Sequence, residues 1–115
     1  MRIWDISPKK LCRKHLLGEH RELHGLWNVL TKHKGKGGYS QHPETKRWIG
    51  KLRALYNRHE KLVSEIKHRS YQHHSPLNKK LAKGKAAQDI LINTILEQKE
   101  ILKNKECKCP ISKQP

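Results

Sequence analysis

Acidic residues are scarce in this 115-residue chain: ten Asp and Glu stand against 26 Lys and Arg, for a formal net charge of +16. A chain so charged repels itself and calls for a polyanionic partner, nucleic acid first and an anionic membrane surface second. Long apolar runs are also missing. No stretch of about 18 consecutive apolar residues exists, which excludes a transmembrane helix. The charged start (Arg2, Asp5, Lys9, Lys10, Arg13, Lys14) has no long apolar segment and does not read as a secretory signal. Three cysteines, an odd number, build no disulfide framework, so a reducing intracellular setting is expected. There is no Walker loop, no dinucleotide fingerprint, no HExxH and no internal repeat. At 34% hydrophobic, the chain holds enough apolar residues for one small core.

What is present reads as helix. Residues 1–6 form an extended lead-in. Ser7-Pro8 is a helix-start signal, with a capping hydroxyl and a proline whose missing N–H costs nothing in a first turn. Leu11, Cys12, Leu16, Leu23, Leu26, Trp27 and Leu30 then recur at three- and four-residue steps to about residue 33. Such a helix would be roughly 39 Å long and central to a domain of this size. Lys34-Gly35-Lys36-Gly37-Gly38 is a basic loop, either a solvated linker or a phosphate contact through Lys34 and Lys36. His42-Pro43-Glu44 opens a second helix to about residue 69. Its apolar stripe is Trp48, Leu52, Leu55, His59, Leu62, Val63 and Ile66, and its opposite face carries Lys46, Arg47, Lys51, Arg53, Arg58, Lys61 and Lys67. A third helix is expected over residues 86–103, with Ile90, Leu91, Thr94, Ile95, Ile101 and Leu102. The expectation is therefore an all-α, compact single domain of three helices over residues 1–103, followed by a polar tail, 104–115.

Few residues suggest metal chemistry. Cys107-Lys108-Cys109 near His73-His74 lacks the paired spacing of a zinc site, so no metal is assigned there. Cys12, among leucines, reads as a small core residue. His59 reads as a half-buried packing residue, and His20, His24 and His68 as surface. His15 differs. With Glu22 at zero on a helical wheel, His15 falls at about 20°, Gly18 at about −40° and Leu26 at about 40°. Glu22 thus sits at the edge of the apolar face, with His15 two turns back and Gly18 leaving a gap between them. A helical Gly costs about 1 kcal/mol relative to Ala, so something is expected to need that space. The plain alternative for Glu22 is a surface carboxylate beside Arg21 and Lys14.

The first residue offers a nucleophile. Arg2 is bulky, and initiator methionine is normally removed only before a small residue, so Met1 is expected to keep its α-amine. An α-amine titrates near about 7.7–8.0, well below a lysine, and is partly unprotonated at neutral pH. The lead-in can fold back along the first helix and deliver this amine to Glu22. An amine beside a carboxylate can do imine chemistry at a sugar C1′.

Two stretches carry a family resemblance. The first is Met1-Arg2-Ile3 with His15-Leu16-Leu17-Gly18-Glu19-His20-Arg21-Glu22-Leu23. The second is His42-Pro43-Glu44-Thr45-Lys46-Arg47-Trp48 with Gly50-Lys51-Leu52, then Arg58-His59-Glu60 and Tyr71-Gln72-His73-His74-Ser75-Pro76-Leu77. Together they resemble the pyrimidine-dimer DNA glycosylase/AP lyase family of the phage endonuclease V type, in its shorter microbial form. The resemblance implies a helical protein with its N-terminus threaded between helices. It implies cleavage of the glycosidic bond at a cyclobutane pyrimidine dimer, followed by β-elimination at the abasic site. Met1 would supply the nucleophilic amine, Glu22 the essential carboxylate, Arg2 and Arg21 the binding arginines and His15 the active-site histidine. The lesion base would leave the stack of a kinked duplex. Three departures concern lesion preference: Met1 stands where phage members expose a small residue, Gly25 where they carry a lesion-contacting arginine, and residues 86–115 hold no aromatic side chain.

Composition points to the same class of partner. The cationic side chains neutralise phosphates, and Trp4, Trp27 and Trp48 fit core anchors better than a base-stacking platform, which favours duplex over single strand. Arg47 and Lys51 are counted with Lys34 and Lys36 as candidate DNA contacts. The expected partner is damaged double-stranded DNA, bound by a cytoplasmic, DNA-associated monomer without a cofactor. The alternatives are a non-enzymatic basic nucleic-acid-binding module, or a relative acting on abasic sites or other lesions. Membrane-surface binding is disfavoured, because the basic residues lie on several faces.

Overall fold

The computed structural model describes residues 2–32, 42–71 and 76–104. Met1, the basic loop with Lys34 and Lys36, His73, His74 and the tail cysteines lie outside the described residues. Within them the chain is all-helical: α1 (Arg13–Thr31), α2 (Pro43–Lys46), α3 (Leu52–His68) and α4 (Ile95–Lys103), with single 3-10 turns at Pro8–Lys10 and Lys79–Leu81.

The first helix is shorter than its periodicity suggests. Ser7 and Pro8 open the 3-10 turn, with the Ser7 hydroxyl accepting from the Lys9 amide. The chain then extends through Leu11, and α1 begins only after Cys12. Leu11 is fully buried all the same, because it plugs the core from an extended segment. Leu16, Leu23, Leu26 and Trp27 follow on the inner face of α1. Cys12 is half-buried, its Sγ 3.2 Å from Nδ1 of His15.

The expected second helix is two. His42 caps α2 by accepting from the Glu44 amide, with Pro43 in the first turn. After four residues the chain turns through Gly50, at φ +74°, a left-handed conformation that glycine adopts without strain. α3 then starts without a side-chain cap. Its first amides, Arg53 and Ala54, donate instead to the carbonyls of Lys83 and Lys85. That approach brings Gly84 (φ +89°) against Gly50; a Cβ there would collide with the Gly50 carbonyl. A loop distant in sequence thus satisfies donors that a helix start normally leaves unpaired. On α3, Leu55, His59, Leu62 and Ile66 face α1 and the core.

The last helix covers only half of its expected span. Thr94, expected in the apolar stripe, is instead the N-cap of a capping box: it accepts from the Glu97 amide, and the Glu97 carboxylate accepts from the Thr94 amide. Residues 86–93 are non-helical, and Ile90, Leu91 and Ile95 are exposed. The buried positions of α4 are Gln98 and Leu102. Leu102 completes the core, to which all three tryptophans belong.

Candidate active site

Residues 2–5 belong to no helix or strand and Ile6 sits at a bend, yet Ile3, Trp4 and Ile6 are buried. A segment outside helix and strand pairs few of its backbone groups internally, so burial requires partners from elsewhere. Buried side chains provide them. The Ile3 amide donates to Glu44 Oε1 (3.2 Å), and the Ile3 carbonyl accepts from Arg47 Nη2 (2.8 Å). The Asp5 amide donates to Gln98 Oε1 (2.7 Å), and the Ile6 carbonyl accepts from Arg58 Nη1 (2.7 Å). Arg47 also binds the carboxylates of Glu44 and Asp5, while Gln98 Nε2 donates to Asp5 Oδ2. Burial works against the Arg47 cation, but its hydrogen bonds to Glu44 and Asp5 outweigh that and raise its pKa. The start of the chain is therefore held by α2, α3 and α4 at once.

This hold sets Arg2 at the rim of a cavity of about 290 Å³, lined by Arg2, Trp4, Lys14, His15, Gly18, Glu19 and Glu22. The Arg2 guanidinium lies over the Trp4 indole, 4.6 Å from its centroid, and the Arg2 Nε is buried without a hydrogen-bond partner. Trp4 meets the His15 ring edge-on at 6.0 Å. Gly18 leaves open space: a Cβ there would meet nothing within 4 Å. The gap expected beside Glu22 is thus a cavity, and among the described residues no other backbone fills it.

The two carboxylates of the cavity differ in kind. Glu19 has a fully buried side chain, gripped by Arg58 through Nε (2.7 Å) and Nη2 (2.9 Å). Burial pushes its carboxyl above the usual range, and Arg58 together with the Trp4 amide pulls it back. Glu22, one turn on, is exposed and forms no ion pair with another described residue. Glu19 is committed to Arg58, whose Nη1 holds the Ile6 carbonyl of the lead-in; Glu22 lines the cavity with its side chain exposed. Two larger cavities, of about 430 and 600 Å³, lie beyond Asp5, along α3 and the 86–95 segment. Their carboxylates, Asp5 and Glu65, are tied up by Arg47 and Arg69.

The cavity brings together Arg2, His15 and Glu22 from the expected set. Arg21 is exposed beside Glu22 and does not line it. Met1, Lys34 and Lys36 lie outside the described residues. Arg47 and Lys51, expected on a DNA-facing surface, are corrected: they are only 4% and 6% exposed. Arg47 clamps the lead-in, and the Lys51 ammonium donates to Gln88 and Asp89 at 2.8 Å each. Arg58, assigned to the same polar face, is also buried. Periodicity misplaces these cations because their partners, Asp5, Glu19 and Asp89, are remote in sequence. The clamp residues Glu44 and Gln98 were not foreseen; the i,i+3 pair Glu44–Arg47 was the one local signal.

A strongly basic all-α protein, with an exposed carboxylate at a cavity near the start of its chain, fits the class of nucleic-acid-processing proteins. Comparison with protein families makes that specific: the family described as pyrimidine dimer DNA glycosylase matches residues 1–79. The chain belongs to this family, which implies a DNA glycosylase acting on a DNA substrate. Comparisons with curated proteins and with solved structures returned no match. The match ends before α4, so Gln88, Asp89, Ile90 and Gln98, which brace the site, lie beyond it.

Proposed function

We propose that the protein is a DNA glycosylase with associated AP-lyase activity on damaged duplex DNA, cyclobutane pyrimidine dimers first. The α-amine of Met1 attacks the sugar C1′, the bond from C1′ to the base breaks, and the base leaves with a proton. The resulting imine acidifies the C2′ hydrogen; its removal expels the 3′ phosphate by β-elimination, and hydrolysis of the imine frees the amine. Glu22 moves protons in these steps. Arg2 and Arg21 bind phosphate or lesion, His15 orients the sugar, and Lys34 and Lys36 contact the backbone. The protein acts as a monomer.

The observation that carries this reading is the shared cavity of Arg2, His15 and Glu22. One peptide unit, about 3.8 Å between Cα atoms, separates the first residue from Arg2. The buried, unpartnered Arg2 Nε suits an anionic ligand.

Borohydride reduction during turnover of abasic-site and ultraviolet-irradiated duplexes tests it. A covalent adduct is expected, mapped by mass spectrometry to the peptide beginning at Met1. An adduct on a lysine, or none, removes the nucleophile. Glu22→Gln is expected to lower nicking by at least about a hundredfold, with duplex affinity retained. Unchanged nicking in that variant removes the acid–base assignment.

A further inference from the structure

Three imidazoles converge across the interface of α1 and α3, away from the cavity. His20 and His24 stand one turn apart on α1, and His59 meets them from α3 with no exposed surface. The Nε2 atoms of His24 and His20 are 3.3 Å apart, and those of His24 and His59 are 3.2 Å apart. One nitrogen from each ring can be taken so that all three lie within 4.8 Å of one another. With Glu22 at zero on the wheel, His20 and His24 fall at about 160° and 200°, across the leucine stripe from His15 and Glu22.

We propose that His20, His24 and His59 bind a divalent transition-metal ion of the zinc class, which pins α1 to α3. Three features of the cluster argue for it, and none depends on the glycosylase reading. Zinc–nitrogen bonds of about 2.0–2.1 Å in tetrahedral geometry place ligand nitrogens about 3.3–3.4 Å apart, close to the two distances seen. A neutral imidazole with its proton on Nδ1 presents its lone pair on Nε2, so the three rings can offer three nitrogen donors to one cation. Finally, Glu60 Oε1 lies 3.3 Å from His59 Nδ1. A carboxylate there accepts a hydrogen bond from Nδ1–H, which leaves the lone pair on Nε2 toward the cluster, as carboxylates behind metal-bound histidines do. An all-imidazole set selects zinc, copper or nickel over calcium and magnesium. His20 and His24 are only half-buried, which admits the ion and leaves a fourth position to water.

Full-length protein freed of metal by dialysis against EDTA is titrated with Co²⁺ and, separately, with Zn²⁺. One equivalent of Co²⁺ is expected to give d–d absorption without the intense near-ultraviolet band of a thiolate ligand. Zn²⁺ at about a hundredfold above its Kd is expected to raise Tm by at least about 5 °C. His20→Gln/His24→Gln is expected to melt like the parent without metal and to lose both responses. The single His20→Gln variant, changed at a half-exposed position, is expected to weaken Co²⁺ binding at least tenfold. Absence of a cobalt spectrum and of a Tm shift in the parent overturns the proposal, as does a response that survives in these variants. So does a thiolate band abolished by Cys107→Ser/Cys109→Ser, which would assign the ion to the tail cysteines.

Discussion

Glu19 and Glu22 are the same side chain three residues apart, and their neighbours give them different duties. Glu19 is turned inward onto Arg58, which also holds the Ile6 carbonyl. Removing one partner of a buried ion pair strands the other charge in a low-dielectric interior, a loss of about 3–5 kcal/mol. Arg58→Met should therefore destabilise by about that amount in urea unfolding, whereas Glu19→Leu/Arg58→Met should recover most of it. If the single variant is as stable as the parent, the pair does not hold the lead-in. Glu22, exposed and without an ion pair to another described residue, should tolerate substitution with little change in stability, so its effect on nicking reads out chemistry and not folding.

Each helix shows a compromise between local preference and its place in the fold. Gly18 weakens α1 by about 1 kcal/mol relative to Ala, and its missing side chain is cavity space. Gly18→Ala is expected to raise stability by up to about 1 kcal/mol while lowering kcat/KM on lesion DNA. A stabler variant with full activity would show that substrate does not use this cavity. α4 serves the site from outside the family match. Gln98 is nearly fully buried and accepts from the Asp5 amide while donating to its carboxylate. Gln98→Ala strands that amide, at a cost of about 1–3 kcal/mol. Faster hydrogen exchange at the Asp5 amide and reduced nicking are the expected readouts; exchange at the parent rate would mean that α4 does not brace the lead-in.

On the scale of the whole molecule, charge is divided between inside and outside. Arg47 and Arg58 are spent on internal carboxylates and the buried Lys51 on the exposed Asp89, while Arg13, Lys14, Arg21, Lys46, Lys61 and Lys67 face outward. Duplex binding should accordingly weaken steeply with salt, as counterion release demands. Among the described residues no helix is long and apolar enough to cross a membrane. One pairing at the surface has a pH signature. Hydrogen bonds from Lys51, and then Lys85, hold the Asp89 carboxyl down at about 2. A carboxyl depressed on folding stabilises the native state above its unfolded pKa, near about 3.9, and loses that contribution as pH falls toward the folded value. Asp89→Asn should remove this part of the acid dependence between about pH 4 and pH 2, with little change in the shape of the curve near neutrality. Identical acid-unfolding curves for parent and variant would dissociate Asp89 from fold stability.

Much of this was legible along the chain. The leucine and tryptophan spacing placed α1, α3 and the core, because a 3.6-residue period reports which face is buried wherever the neighbours lie. Arg2, His15, Gly18 and Glu22 were also legible, the last three through their common side of one helix. The fates of Arg47, Lys51 and Arg58 were not. A helical wheel ranks a cation as solvent-facing, and only contact with Asp5, Glu44, Asp89 or Glu19 reverses that. The 86–93 segment misled for a related reason: its apolar residues have helical spacing, but its Ile90 carbonyl and Gln88 side chain are engaged by Arg47, and it follows directly on the Lys83 and Lys85 carbonyls that cap α3. The His20–His24 spacing was visible and its third member was not, since His59 joins only when α1 and α3 pack. Sequence alone determined the helical class, the basic charge and the family, which are properties of composition and local period. Tertiary structure decided which charges are buried and how the chain's start is held, because burial of an ion depends on partners that only folding brings within hydrogen-bond reach.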